Sequence, residues 1–61
     1  MKRVDLVRVV EEMGCLLIRH GGKDDWYQNP STGASQPIPR HREIKEHLAR
    51  SIIRRLSADT K

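Results

Sequence analysis

The 61-residue chain has no phenylalanine, one tryptophan, one tyrosine and one cysteine. With so few aromatics, its core has to come from Val, Leu and Ile, and apolar residues of all kinds make up only 36% of the chain. A chain this short buries only about 60% of the surface that it exposes when unfolded. That leaves one small domain over residues 1–61 and no enclosed pocket for a sizeable metabolite, so any chemistry belongs on an open face or in a shallow groove. A single cysteine, Cys15, has no partner within the chain; a disulfide scaffold is excluded and a reducing, cytoplasmic location is expected. No apolar run approaches the roughly 20 residues of a membrane span. The first residues turn amphipathic at once, which is not the pattern of a signal peptide.

What the chain has is positive charge. Twelve Lys and Arg against eight Asp and Glu give a net charge of +4, and the pI is 9.8. Phosphates are drawn to basic surfaces at long range, so a polyanion is a natural partner. Charge alone leaves nucleic-acid binding and a merely basic surface equally open.

Leu6, Val9, Val10 and Met13 recur at helical spacing and predict an amphipathic helix over residues 2–13, with Gly14 as its stop. Residues 15–20 predict a strand, which Gly21-Gly22 breaks, and residues 24–29 a second. Asn29-Pro30-Ser31-Thr32-Gly33 is dense in turn formers and suits a hairpin. Residues 34–39 predict a third strand, which should lie at an edge or end early because Pro37 and Pro39 cannot donate ladder hydrogen bonds. After an irregular link over residues 40–44, Leu48, Ala49, Ile52, Ile53 and Leu56 make one stripe of a helix over residues 45–56. A frayed tail is expected over residues 57–61. The order α-β-β-β-α, with hairpin-length links, predicts an α+β fold: an antiparallel three-stranded sheet with both helices on one face, the topology of a double-stranded-RNA-binding domain.

The unusual chemistry lies in Arg19-His20-Gly21-Gly22-Lys23-Asp24-Asp25-Trp26-Tyr27. The glycine pair can turn tightly and expose amide N–H groups to a phosphate, or it can be an ordinary hairpin turn. Lys23 can hold a phosphate or keep the loop solvated. Trp26 is expected to be the main core aromatic, leaving Tyr27, on the opposite strand face, as the exposed ring. Asp24 and Asp25 are adjacent in a strand and so point to opposite faces, which rules them out as a carboxylate pair. His20, His41 and His47 lack zinc-ligand spacing with cysteine, and no serine sits in an elbow between strand and helix. In Pro37-Ile38-Pro39-Arg40-His41-Arg42, Arg40, His41 and Arg42 can grip RNA phosphates, with His41 available for proton transfer; equally, the run can simply terminate the third strand.

Taken together, these residues resemble the HicA family of bacterial toxins. The likeness runs from Glu12-Met13-Gly14-Cys15 through Arg19-His20-Gly21-Gly22-Lys23, Trp26-Tyr27-Gln28-Asn29-Pro30 and Pro37-Ile38-Pro39-Arg40-His41-Arg42-Glu43-Ile44 to Leu48-Ala49-Arg50-Ser51-Ile52-Ile53. The pairing of a Gly-Gly loop with a later Pro-Arg-His is its most specific part. The resemblance implies a toxin of a type II toxin–antitoxin system, a small metal-independent and cofactor-free endoribonuclease that cleaves mRNA. It also implies a HicB antitoxin that masks the active-site face, and no direct DNA binding by this chain. The catalytic position two residues after the second glycine, usually histidine, is Asp24 here, with Gly22, Lys23, Arg40, His41 and Arg42 as the expected RNA contacts. An exposed Asp, with a reference pKa of about 3.9, is a poor base and not an acid at pH 7, so a nearly inactive nuclease is expected. An introduced Asp24, a natural loss of activity, or takeover of proton transfer by His20 or His41 would each account for this; the reading taken is a disabled form of an active toxin. The alternative function is a non-catalytic double-stranded-RNA-binding module using Arg40, Arg42, Lys45, Arg50 and Arg54.

Overall fold

A computed structural model describes residues 1–57. It has helix α1 (Arg3–Glu12), strands β1 (Leu16–His20), β2 (Asp24–Gln28) and β3 (Ser35–Pro39), and helix α2 (Glu46–Ser57). This is the expected α-β-β-β-α order, with no element's end more than one residue from its expected place. Of the tail expected at 57–61, Ser57 closes α2 instead, and residues 58–61 lie outside the described part of the chain.

Gly14 ends α1 as its sequence suggests. It takes φ 96°, where a side chain would strain the backbone. The Gly14 N–H then donates to Glu11 O and the Cys15 N–H to Val10 O, each at 3.0 Å. These two bonds satisfy carbonyls that the last turn would otherwise leave open. They also turn Cys15 into the core, where burial pushes its thiol pKa up. A buried, protonated thiol is no nucleophile.

The sheet is antiparallel in the order β1-β2-β3, so the proline-bearing β3 lies at an edge. One face is covered by α2 on β3 and by α1 against α2. Leu6, Val10, Tyr27, Ile38, Ile44, Ala49, Ile52 and Leu56 form the core between the layers. Full burial of each Leu, Ile or Val contributes roughly 1.5–3 kcal/mol. The helix stripes are narrower than their hydrophobic spacing implied. In α2 the buried residues are Ala49, Ile52 and Leu56, whereas Leu48 is 40% exposed. Leu48 stands about 100° round the helix from Ala49, which takes it off the covered face. In α1, Val7 and Met13 pack at the margin of Leu6 and Val10, and Val9 is only half-buried.

One expectation is reversed. Tyr27 is the core aromatic, at 6% exposure, and Trp26 lies on the open face with the Arg19 guanidinium 5.5 Å from its ring centroid. The cause is register. Asp25 faces the helices to meet Arg3 of α1, so Tyr27, two residues on, faces them as well and Trp26 faces away.

Asn29 ties the β2–β3 hairpin to α2. Its Oδ1 accepts from the Ser31 N–H at 2.9 Å within the turn, while its Nδ2 donates to Leu56 O at 2.8 Å. The cover stops short of β1, where every residue is exposed. The β1–β2 ladder also slips between Leu17 and Arg19, which leaves Ile18 as an extra residue. Such a bulge bends an edge strand and re-aims its side chains.

Candidate active site

The β1–β2 loop closes with the Gly21 N–H donating to Asp24 O at 2.7 Å. The close approach favours glycine here: a Cβ on Gly21 would stand 3.1 Å from Asp24 O and 3.3 Å from Trp26 Nε1, tight enough that a neighbour would have to give way. Gly22 has open space where a side chain would be. Arg40, just after β3, clasps the loop at two points. Its Nη2 donates to Gly21 O at 3.2 Å, and its main-chain N–H to Lys23 O at 3.3 Å.

Beneath the loop, on the helix side, sits Asp25. Its Oδ2 accepts from Arg3 Nη2 at 2.7 Å. Its Oδ1 accepts from Arg40 Nε and Nη2 at 3.0 and 2.8 Å and meets His20 Nδ1 at 2.9 Å. The Arg40 hydrogen bonds, followed by that of His20, hold the Asp25 carboxyl at about 2, well below the ordinary carboxylate range. Arg3 is fixed from both ends: its Nε donates to Pro39 O at 2.9 Å and its main-chain N–H to Arg42 O at 2.9 Å. The charges therefore interlock α1, β1, β2 and the segment after β3.

The expected site residues separate into groups. Gly22, Lys23 and Arg40 are exposed and come together at the loop. His41 and Arg42 follow Arg40 and are exposed; among the described residues neither side chain makes a hydrogen bond. Asp24 is half-buried and pairs with Pro39 in the ladder. Alternation along β2 puts it on the open face with Trp26, opposite to Asp25. On that face Ile18, Arg19, Trp26 and Ser35 line a shallow depression of about 230 Å³.

The sequence reading missed the Asp25 cluster. Arg3 and Arg40 lie 22 and 15 residues from Asp25, so nothing local announces them. Alternation did show that Asp25 and Tyr27 share one face of β2 and Trp26 the other, but not which of the two faces meets the helices.

The loop of Gly21-Gly22-Lys23-Asp24 and the Pro39-Arg40-His41 segment thus form one unit in space. A family model described as the HicA toxin of bacterial toxin–antitoxin matches residues 4–57. The chain belongs to the HicA toxin family. No curated protein and no solved structure matches it. As a HicA-family chain it is the toxin of a toxin–antitoxin pair, and an antitoxin is its partner. Among the described residues no helix is long and apolar enough to cross a membrane.

Proposed function

We propose that this HicA-family chain is built as an endoribonuclease of mRNA, neutralised by a HicB-like antitoxin that covers the loop and the open sheet face beside it. Cleavage runs by metal-independent proton transfer at a phosphate held by the Gly22 amide, Lys23, Arg40, His41 and Arg42. The observation that carries this reading is the double clasp of Arg40 on the glycine loop, which joins the two most specific halves of the HicA-like sequence. Arg40 spends Nε and Nη2 on Asp25 and Gly21, and its exposed guanidinium keeps Nη1 for a phosphate oxygen.

Asp24 sits where the family resemblance calls for a histidine. It brings a carboxylate toward an incoming phosphate and lacks the imidazole that transfers protons near neutral pH. Loss of a general acid–base group costs roughly 10²–10⁴ in rate, so the chain as it stands is a much weakened toxin. Induction of the Asp24→His variant in cells should arrest growth and degrade mRNA, and co-expression of the antitoxin should restore growth. A variant that neither arrests growth nor cleaves RNA when purified, yet retains RNA duplexes, would favour a non-catalytic RNA-binding module and overturn the nuclease reading.

A further inference from the structure

Outside position 24, the most distinctive chemical arrangement in the molecule is the pairing of His20 with Asp25. The Asp25 carboxylate is ionised across the working pH range and so can only accept hydrogen bonds. At 2.9 Å, His20 Nδ1 must therefore be the donor. In the neutral ring this fixes the tautomer: Nδ1 carries the proton and Nε2 carries the free lone pair. The His20 side chain is 68% exposed, so Nε2 is open to a ligand at the entrance of the glycine loop. Asp25 is itself pinned by Arg3 and Arg40, which prevents the carboxylate from swinging away. A buried acceptor orienting an exposed imidazole is the arrangement that a general base needs.

We infer that His20, oriented by Asp25, is the proton-transfer residue of this chain and acts on the 2′-hydroxyl of RNA bound across the loop. The inference rests on the nuclease reading above. In the step, His20 Nε2 takes the 2′-hydroxyl proton and the 2′-oxygen attacks the adjoining phosphorus. The bond from phosphorus to the 5′-oxygen breaks, leaving a 2′,3′-cyclic phosphate on one product. The departing 5′-oxygen takes a proton from water, and the imidazolium releases its own to solvent. Arg40 Nη1, which the clasp on Asp25 and Gly21 does not use, and the exposed Lys23 are the cations available to the phosphate oxygens. The charged groups around the imidazole are Asp25 on β2, Arg40 after β3 and Arg3 on α1. Asp24, on the opposite face of β2, takes no part in this proton transfer; its charge acts only on the approach of the phosphate.

The test is cleavage of a short single-stranded RNA by the antitoxin-free chain between pH 5 and 9. The unmodified protein, His20→Gln and Asp24→His are compared, with far-UV circular dichroism verifying that each is folded. The unmodified chain should cleave slowly, with a rate that rises with pH, as a reaction that needs an unprotonated base requires. His20→Gln should lower that rate roughly 10²–10⁴-fold and remove the rise. Equal rates for the unmodified and His20→Gln proteins would overturn the role of His20 and leave the nuclease reading intact. So would cleavage by Asp24→His alone. No cleavage by any of the three would overturn the nuclease reading itself, and this inference with it.

Discussion

Asp25 accepts hydrogen bonds from His20, Arg3 and Arg40 together, so a change there is felt on α1, β1 and the segment after β3. Because its folded pKa is depressed to about 2, its contribution to stability is complete above the unfolded value, about 3.9. That contribution is lost as pH falls through the folded value. Thermal melts of the unmodified chain should therefore decline steeply between pH 4 and 2. Asp25→Asn should melt lower at pH 7 and show a flatter decline over the same window; parallel declines would contradict the ion-pair account. The neighbouring carboxylate behaves differently. Among the described residues the Asp24 side chain makes no hydrogen bond, and it faces the uncovered side of the sheet. Asp24→His should shift stability by less than about 0.5 kcal/mol, measured by chemical denaturation, even as it changes activity.

The elements owe their positions to a few buried contacts, and the unevenness along α2 can be measured. Ile52 is 2% exposed in the core, whereas Leu48 keeps 40% exposure. Ile52→Ala should cost about 2–5 kcal/mol, a large part of the roughly 5–15 kcal/mol total of a small domain. Leu48→Ala should cost about 0.5 kcal/mol or less. Equal losses in urea titrations would mean that α2 is rotated from the face described. The existence, order and pairing of the elements were legible because they rest on local signals: hydrophobic spacing, Gly14, the Asn29-to-Gly33 turn and the prolines of β3. Which side of β2 faces the helices was not legible. Alternation separates Trp26 from Tyr27 but does not say which is inside, and the decision lies with Arg3, far away in sequence. The site was half legible for the same reason. Its loop and Arg40 stand out as motifs, whereas the role of Arg40 as a clasp and the pairing of His20 with Asp25 exist only after the chain has folded.

At the scale of the whole molecule, the shortest Cα extent is 16 Å against 30 Å and 22 Å along the other axes. That is two layers and a single interface between them, which keeps all chemistry on the surface. It also leaves the sheet unevenly clothed. Leu16, Leu17 and Ile18 of β1 are 60%, 44% and 48% exposed on an edge strand. An edge with free backbone groups and apolar side chains invites pairing between copies; Arg19, His20 and the bulge at Ile18 oppose it only in part. Leu16→Lys should raise the concentration at which light scattering from the free chain begins to climb, while leaving its melting temperature within about 2 °C, as expected of a surface change worth a few tenths of a kcal/mol. If scattering is unchanged, β1 is not the adhesive strip. The bareness of β1 thus separates two quantities usually treated as one. How tightly this chain folds is decided between α1, α2, β2 and β3, while how much of it can stay dispersed in a drop of buffer is decided at the opposite margin, by a few side chains that folding never reached.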